Sequence, residues 1–373
     1  MEGTGIEISA AATGTAAAPV EAAAHEAWVR LFEELRGRGA GPRDVLVERI
    51  FFRDPGSLDA IRSGRALAYE EAGISNPPIV SMVGQAPADP AVPFAVLAHA
   101  LPGSGPAGGA AARRLEGLPG GTEGIETHAG GARRVLVTGI VGGDPGDRLD
   151  FEGQAARLFA RAGSVLMRAG IPFKQVARTW IFLTAIDRDY AALNRARRAF
   201  FEASDVRPAP ASTGIGGRPA AAGRLIALDL VAFDGLQRDA MRPLSAPTMN
   251  EAPSYGSDFS RGFEVRLADR RLVFVSGTAS IDRRGEVLHT GDIEMQADRM
   301  LQNVDRLLHA AGADFESLAH AVTYVKRAED APAIAAACAR AGFPAEVPHV
   351  VCVAEVCRAE WLCEMEAYAA LPA

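Results

Sequence analysis

Basic residues, cysteines and long apolar runs are scarce in this chain of 373 residues, and each shortage excludes a class of function. Lys and Arg number 39 against 46 Asp and Glu, so no basic surface is available to neutralise nucleic-acid phosphates. The sequence has no apolar run long enough to cross a bilayer. Its first residues lack the basic and apolar regions of a signal peptide. We therefore expect a cytoplasmic protein with neither nucleic acid nor membrane as partner.

The four cysteines lie close to the C-terminus and form no C-x-x-C pair, so we expect no structural metal site. The chain also lacks a dinucleotide-binding fingerprint and a P-loop, and we expect no cofactor. Hydrophobic residues make up 48% of the sequence, which is enough for a packed core. The partner that remains is a small molecule.

Two stretches of the chain repeat the same series of markers. RRVLVTG reaches Gly139 and RRLVFVSG reaches Gly277, and a helical segment with a glutamine follows each glycine. Gln154 lies 16 residues before the next helix-ending glycine, and Gln296 lies 16 residues before its own. Apolar residues recur at helical spacing in these segments, so one stripe packs on a sheet. Each copy predicts the order β-hairpin, α, β, α, β, β.

This order predicts an α+β fold in which each module has a mixed sheet with two helices on one face. Two complete modules are expected, a central copy and a C-terminal copy, and a degenerate half-module with a Gly/Ala/Pro-rich loop precedes them. The predicted boundaries are a flexible tail at 1–42, the half-module and loop at 43–126, the central copy at 127–235, a linker at 236–253 and the C-terminal copy at 254–373.

Glu364 is the best candidate for catalysis, because no acid stands at its counterpart in the central copy. Alternation along a strand places Glu364 and Glu366 on one face. Strict spacing from the late proline aligns Glu364 with Ile226, whereas a shift of one residue aligns it with Ala227 and Glu366 with Asp229. We favour the shifted register, since it matches two acids. The alternative is that both glutamates are ordinary surface carboxylates.

A polar loop shows the opposite distribution. Ser212, Thr213 and Gly214 of the central copy align with the apolar stretch 350–352 of the C-terminal copy. Each copy thus keeps polar groups that the other lacks. Such complementary retention predicts one composite site between the copies, since ligand sites often lie between domains.

Several motifs resemble those of a known superfamily. They are RTW at 178–180, PASTGIG at 210–216, SYGSDFSRG at 254–262, SGTAS at 276–280, EVCR at 355–358 and WLCEMEAYA at 361–369. The C-terminal run resembles the Rid (YjgF) family of the chorismate-mutase-like fold, and the tandem arrangement is most similar to the chorismatases. The resemblance implies a pseudo-trimer of modules with a site between them, and Glu364 as the acid, at the first glutamate of E-x-E.

Chorismatases remove pyruvate from chorismate by cleaving its enol ether, so the resemblance implies a hydrolase or lyase of secondary metabolism. A cleft of partly apolar character would raise the pKa of Glu364 and keep it protonated for this step. The ring product is left open between a cyclohexadiene diol and a hydroxybenzoate. The protein is expected to be a monomer or a small homo-oligomer.

A dicarboxylate substrate also needs cations and hydrogen-bond donors. Rid proteins of the deaminase type carry Arg in a P-x-R motif, and here that position is Val350. Thr213 is expected to form an anion-binding nest with the backbone N–H groups of Gly214 and Gly216. The other substrate-binding candidates are Arg178, Tyr255, Arg261, Lys326, Cys357 and Arg358. The competing readings are a Rid-type enamine or imine hydrolase and a small-molecule binder without catalytic activity.

Overall fold

The computed structural model describes residues 7–103, 112–144 and 146–373, apart from the side chain of residue 238. The described chain forms three modules with one sheet each, named here the N-terminal, central and C-terminal modules.

The N-terminal module contains β1 (Ile8–Thr13), α1 (Val20–Gly37), β2 (Val45–Phe52), α2 (Leu58–Glu71), β3 (Ile79–Gly84), β4 (Ala86–Pro87) and β5 (Phe94–Ala100). The central module contains β6 (Ala112–Arg114), β7 (Glu123–Ala129), β8 (Ala132–Val141), α3 (Phe151–Arg168), β9 (Val176–Leu183), α4 (Ile186–Ala203), β10 (Ala211–Gly216), β11 (Arg218–Pro219) and β12 (Ile226–Asp234). The C-terminal module contains β13 (Met241–Leu244), β14 (Gly262–Arg266), β15 (Arg270–Ala279), α5 (Ile293–Ala310), β16 (Leu318–Val325), α6 (Ala331–Ala341), β17 (His349–Val353) and β18 (Cys363–Pro372).

The repeated markers have the same structural tasks in the central and C-terminal modules. Asp150 caps the N-terminus of α3 through the Gly153 N–H, and Asp292 caps α5 in the same way. Gly170 and Gly312 follow the two helices with φ of 71° and 67°, a left-handed conformation that glycine adopts without strain. The repeat in the sequence therefore encodes the start and the end of the same helix twice.

The twin glutamines hold the loop that leads into the last strand of each module. The side-chain oxygen of Gln154 accepts the N–H of Leu225 at 2.9 Å, and that of Gln296 accepts the N–H of Leu362 at 2.9 Å. Gln296 thereby fixes the chain just before β18.

The sheets are mixed, and the order of their central strands is the same in all three modules. The N-terminal sheet runs β1-β5-β2-β3-β11, the central sheet runs β10-β9-β12-β8-β7-β6, and the C-terminal sheet runs β13-β14-β15-β18-β16-β17-β4. The helices cover one face of each sheet, and the opposite faces meet in a shared apolar cluster that includes Leu46, Phe233 and Phe274. Because both faces are buried, the strands are apolar along most of their length.

Each module lends a short segment to the next sheet, in a cycle that closes around the molecule. β11 of the central module pairs with β3, and β4 of the N-terminal module pairs with β17. The carbonyl of Glu355, just after β17, accepts the N–H of Gly216 in β10 at 2.8 Å. These three exchanges are equivalent, so the modules are related by pseudo-threefold symmetry. The predicted tandem α+β fold with a pseudo-trimer-like arrangement is confirmed.

The predicted flexible tail at residues 1–42 is wrong for the described residues 7–42. These residues supply β1 and α1, so the predicted half-module is a nearly complete module that lacks one strand of the hairpin. The prediction failed because this stretch is rich in alanine and resembles a flexible tail in composition. In α1, however, one apolar stripe packs in the core through Trp28, Leu31, Phe32 and Leu35.

Two other predicted connections also contain strands. In the loop that ends the predicted segment 43–126, residues 112–114 form β6 at the edge of the central sheet and β7 begins at Glu123, whereas residues 104–111 lie outside the described residues. The predicted linker at 236–253 contains β13, which pairs with β14. Short edge strands of this kind carry too little apolar patterning to be detected. Among the described residues, no helix has the length and apolar character to traverse a bilayer.

Candidate active site

An enclosed pocket lies at the junction of the central and C-terminal modules, and it is named here the inner pocket. Five of the predicted catalytic and substrate-binding residues line it, namely Gly214, Tyr255, Arg261, Cys357 and Glu364. The structure thus brings together side chains that are far apart in the sequence and belong to two modules. Arg178 and Thr213 lie directly behind the wall of this pocket, and Lys326 lies elsewhere.

Glu364 sits at the second position of β18, between β15 and β16. It pairs with Ala279 on one side and with Tyr324 on the other, and it is 4% exposed. Burial, reinforced by the nearby charge of Glu366, raises the pKa of Glu364 from 4.5 to about 8, although Arg261 and Arg178 act in the opposite direction. The carboxyl group is therefore protonated at neutral pH.

Gly277 provides the space that the Glu364 carboxyl group occupies. A Cβ atom at residue 277 would lie 1.9 Å from Oε1 of Glu364, so any other residue would displace the acid. The N–H of Gly277 donates to Oγ1 of Thr213 at 3.0 Å. Gly277 therefore joins Thr213 of the central module to Glu364 of the C-terminal module.

Glu366 belongs to an ion cluster that joins all three modules. It accepts Nη2 of Arg178 at 2.7 Å, Nε1 of Trp180 at 2.9 Å and Nη1 of Arg49 at 3.0 Å. Burial lowers the pKa of Arg178 to about 10, which Glu366 partly offsets, so Arg178 stays charged. Arg178 also donates to Thr213. Arg178, which was predicted to bind substrate, is buried beside Glu366 and does not line the inner pocket.

Strand pairing settles the alignment of the modules. Glu364 pairs with Tyr324 of β16, and Ala227 pairs with Phe182 at the same position of β9. Asp229 likewise stands where Glu366 does, opposite Trp180. The shifted register is therefore confirmed, and the counterpart of Glu364 is Ala227.

The alignment of the polar loop was wrong by one residue. Thr213 pairs with Trp180 in β9, and Val350 pairs with Val322 at the same position of β16, so Thr213 corresponds to Val350. The N-terminal module has Ser81 there. None of the three modules therefore carries arginine at the position of the P-x-R motif.

The predicted anion-binding nest is also wrong. Gly214 and Gly216 belong to the extended strand β10, which pairs in parallel with β9. The N–H of Gly216 donates to the carbonyl oxygen of Glu355, so it is not free to bind an anion. A Cβ atom at residue 216 would lie 2.7 Å from that oxygen. Gly214 borders the inner pocket through its backbone, next to the Tyr190 ring.

Two buried arginines, Arg197 and Arg261, line the inner pocket together with Glu364. Arg261 is anchored by Asn250, through Nε to the carbonyl at 2.8 Å and Nη2 to Oδ1 at 3.0 Å. Arg197 of α4 donates to Asn194, and its Nε has no hydrogen-bond partner within the described residues. Both guanidinium groups lie 5.5 Å from the centre of the Phe259 ring. Among the described residues, Arg261 acts electrostatically on the Glu251 carboxyl group and lowers its pKa, against the larger effect of burial, but no acid lies within ion-pair distance of either arginine.

Arg197 was not predicted from the sequence, nor were its neighbours Tyr190, Phe259 and Trp361, which also line the inner pocket. A signal was present, because Tyr190, Asn194 and Arg197 recur at i, i+4 and i+7 and so share one face of α4. This polar stripe was overlooked since polar residues on a helix are usually exposed to solvent.

A wider vestibule leads to the inner pocket and shares Tyr190, Tyr255 and Cys357 with it. The Tyr255 ring lies between two cations, 5.2 Å from Arg261 and 5.0 Å from Arg358. Burial, which outweighs the effect of Arg261, raises the pKa of Tyr255 to about 12. Tyr255 therefore keeps its hydroxyl proton and can donate a hydrogen bond.

Two further predicted substrate-binding residues, Cys357 and Lys326, lie in different places relative to the inner pocket. Cys357 lines both cavities, and burial raises the pKa of its thiol to about 12, so it is no nucleophile at neutral pH. Lys326 donates to the carbonyl of Ala359 at 3.0 Å and pairs with Glu355 at 3.5 Å. It lines neither cavity, because its own backbone is held next to Leu362 beyond the end of β16.

Comparisons with known proteins agree with this architecture. Residues 249–371 match the model of the endoribonuclease L-PSP family, the Rid/YjgF proteins. A 3-hydroxybenzoate synthase of Streptomyces hygroscopicus is 30% identical over 220 residues, which cover 52% of this chain and 63% of that protein. A solved chorismatase structure covers 98% of this chain and 99% of its own, with a TM-score of 0.64 and 17% identity.

The resemblance seen in the sequence is confirmed. The chain is similar to Rid/YjgF proteins in its C-terminal module and has the fold of a chorismatase over almost its whole length. Chemically, the inner pocket offers one protonated carboxyl group and two arginines that have no carboxylate within ion-pair distance among the described residues. It can donate a proton to a bound molecule while holding negative charge elsewhere on it.

Proposed function

We propose that the protein cleaves the enol ether of chorismate, or of a closely related enolpyruvyl compound, and releases pyruvate. The observation that carries this proposal is that Glu364, with a pKa raised to about 8, lines one pocket together with Arg197 and Arg261. The similarity to a chorismatase structure and to a 3-hydroxybenzoate synthase supports the same substrate class.

Glu364 acts as the general acid in this proposal. Its proton passes to the methylene carbon of the enolpyruvyl group, and the carbon that bears the ether oxygen becomes an oxocarbenium ion. Water adds to that carbon, and the resulting hemiketal collapses to pyruvate and a ring alcohol. One water molecule is consumed, and the proton that it releases restores Glu364.

The charges of the pocket favour a dicarboxylate. Arg197 and Arg261 give the pocket a formal charge of about +2 when Glu364 is protonated. A dianion such as chorismate matches this charge, whereas the single carboxylate of an imino acid leaves one buried arginine unpaired, which is costly. The absence of arginine at Ser81, Thr213 and Val350 is a second argument against the imine hydrolase reading.

The remaining residues have supporting roles. Tyr255 donates to a ring hydroxyl, and Arg358 in the vestibule attracts the anion towards the inner pocket. Arg178 and Thr213 hold the wall behind Glu364, while Gly214 and Cys357 shape the space for the ring.

A hydroxybenzoate is the alternative ring product. The atoms balance in this case too, since chorismate divides into hydroxybenzoate and pyruvate without net consumption of water.

Mixing the purified protein with chorismate and measuring pyruvate release tests the proposal. We expect turnover by the wild type and, for Arg261→Met, a rise in KM larger than the fall in kcat. The matched control is Arg188→Met, which alters an exposed arginine on α4 that pairs with Asp189. Hydrolysis of 2-aminoacrylate with no pyruvate release from chorismate would instead establish an imine hydrolase, and ligand binding without turnover would establish a binding protein.

A further inference from the structure

The side chain of Arg49 reaches from the N-terminal module to the wall behind the candidate acid, although that module supplies no residue to the inner pocket. Arg49 lies in β2, and its side chain is 12% exposed. Its Nη1 donates to Oε1 of Glu366 at 3.0 Å, and its guanidinium group lies 4.4 Å from the centre of the Trp180 ring. Arg49 therefore contacts the carboxylate that neighbours Glu364 along β18.

A cation at this strand position occurs in only one of the three modules. The positions that correspond to Arg49 are Trp180 and Val322, as their pairing with the equivalent neighbouring strands shows. The fold of a module thus does not require a charge there, and Arg49 is available for another role.

The two oxygens of the Glu366 carboxylate have different partners. Oε1 accepts Arg49 and Nε1 of Trp180, whereas Oε2 accepts Nη2 of Arg178 at 2.7 Å. Nη2 of Arg178 also donates to Oγ1 of Thr213, and Nη1 of Arg178 is buried without a hydrogen-bond partner among the described residues. Because Oε1 already accepts two donors, Arg178 is confined to Oε2 and Thr213 and does not bind both carboxylate oxygens, as arginine often does.

Thr213 extends this arrangement to the acid. Its Oγ1 also accepts the Gly277 N–H at 3.0 Å, and the Glu364 carboxyl group fills the space beside Gly277. Glu364 and Glu366 are in addition two residues apart on β18, on the same face of the strand. The cluster of Arg49, Glu366 and Arg178 thus acts on Glu364 through these contacts and through space.

The charges of the cluster oppose one another at Glu364. The negative charge of Glu366 favours its protonated form, whereas Arg178 and Arg261 favour the ionised form. Arg49, Glu366 and Arg178 together carry a net charge of about +1, and without Arg49 the sum is about zero. The loss of Arg49 therefore removes positive charge from the surroundings of the acid.

Other titratable side chains adjoin this cluster, namely Tyr324, His320, Cys352, Cys357 and Cys363. Burial keeps them neutral, because it raises the pKa of the tyrosine and the thiols and lowers the pKa of the histidine. Asp229 is different, since Arg49 lowers its pKa while burial raises it. Its charge can change when Arg49 is lost, so the test must include a variant in which residue 229 cannot titrate.

We propose that Arg49 is a positioning residue for the acid, which holds Glu366, and through it Arg178 and Thr213, and so lowers the proton affinity of Glu364 without touching the substrate. The N-terminal module thereby takes part in catalysis at a junction to which it does not belong. The proposal rests on the proposed function only in naming Glu364 as the reacting acid.

The experiment compares Arg49→Met with Arg49→Lys in the full chain. Methionine keeps a contact with the Trp180 ring and removes the charge, while Glu366 retains Arg178 and Trp180 as partners. The alkaline limb of kcat for pyruvate release should move to higher pH by about one unit in Arg49→Met, because loss of a cation favours protonated Glu364. Arg49→Lys restores the charge and should leave the limb near its wild-type position.

Arg65→Met is the matched control. Arg65 also belongs to the N-terminal module and pairs with a buried glutamate, Glu48, but it does not line the inner pocket. Its loss should lower Tm and leave the limb in place. The shift caused by Arg49→Met should persist when wild type and variant are both compared in an Asp229→Asn background. A limb that stays in place or moves to lower pH in Arg49→Met overturns the proposal, as does an equal shift in Arg49→Lys or Arg65→Met.

Infrared titration follows the same proton without turnover. The carbonyl band of the protonated Glu364 carboxyl group is identified by its loss in Glu364→Gln, and its disappearance with rising pH gives the pKa. We expect a higher midpoint in Arg49→Met than in the wild type. If the wild type releases no pyruvate from chorismate, the proposed function fails but this titration still decides the role of Arg49. A midpoint in Arg49→Met that does not exceed the wild-type value refutes that role.

Discussion

The three junctions between modules share one backbone geometry but differ in the residues at the positions of Thr213 and Glu364. Where the central and C-terminal modules meet, Thr213 faces Glu364 across Gly277. At the equivalent positions, the junction of the N-terminal and central modules has Ser81 and Ala227, and the remaining junction has Val350 and Ala95. Fusion of the modules in one chain allows each copy to vary independently, which a homotrimer does not permit.

The modules thus share their backbone arrangement, and they differ in the side chains at the positions of Thr213 and Glu364. All three modules contribute to the ion cluster at Glu366, including the N-terminal module, which lacks the acid. Alanine at positions 95 and 227 leaves no carboxyl group there. Two junctions thus serve stability, and the third carries the candidate active site.

The largest expected effect comes from removing the start of the N-terminal module. A chain that begins at residue 38 lacks β1 and α1 and exposes the surfaces that Trp28, Leu31, Phe32 and Leu35 bury. Each of these side chains contributes about 1.5–3 kcal/mol by burial, and the sum is comparable with the whole stability of a domain. We expect aggregation or loss of the cooperative unfolding transition in a thermal melt. A truncated chain that melts like the wild type contradicts this assignment.

The second prediction moves the acid between junctions. Glu364→Gln keeps the shape of the side chain but removes the proton, so kcat for pyruvate release should fall by about 10²–10⁴-fold with little change in KM. Adding Ala227→Glu to this variant places a carboxyl group at the equivalent position of the adjacent junction. No rescue is expected, because Arg197 and Arg261 lie at the original junction. Recovery of activity would show that a carboxyl group at residue 227 is sufficient for turnover without Arg197 and Arg261.

The sequence predicted the features that depend on local spacing. Repeated glycines and glutamines located the central and C-terminal modules, and strand alternation predicted that Glu364 and Glu366 lie on one strand. The catalytic role of Glu364 stays a prediction. The failures concern features set by tertiary contacts. The alanine-rich β1 and α1 show no clear apolar pattern in the sequence, and their burial depends on the sheet they pack against. The cyclic exchange of β4 and β11 involves strands of two residues, which are too short to be predicted.

The errors within the site have the same physical origin. Arg178 and Lys326 occupy related strands, and only the folded chain shows that Arg178 is buried against Glu366 while Lys326 caps a loop. Arg197 was missed because a polar stripe on a helix normally faces solvent. Its burial depends on the segment around Phe259, which crosses over from the C-terminal module.

The third prediction concerns this missed arginine. Arg197→Met removes a cation from the inner pocket but keeps most of its volume and the contact with Phe259. A charged hydrogen bond to a carboxylate is worth about 1.5–3 kcal/mol, so kcat/KM for chorismate should fall by about 10- to 100-fold. Arg188→Met, at an exposed position of the same helix, should leave kcat/KM unchanged. Equal losses in both variants would indicate general damage to α4.

The smallest expected effect is a shift in the pH profile caused by the neighbour of the acid. Glu364 must be protonated to act, so activity should decline as pH rises through its pKa of about 8. The negative charge of Glu366 helps to raise this pKa, and it also offsets the opposing effect of Arg178. Glu366→Gln removes this negative charge and leaves the cations in place. The loss of repulsion by Glu366 and the stronger effect of Arg178 both stabilise the ionised form of Glu364.

The alkaline limb of kcat against pH should therefore move to lower pH in Glu366→Gln, by about one unit for charges a few ångströms apart at the effective dielectric of a protein. The matched control is Glu264→Gln, which removes another buried carboxylate that pairs with Arg242, Arg266 and Arg271 in the C-terminal module. Its cluster lies on β14, outside the inner pocket, so the limb should stay in place. An alkaline limb that stays in place or moves to higher pH in Glu366→Gln would show that this limb does not report the ionisation of Glu364, and the acid would have to be assigned to another group.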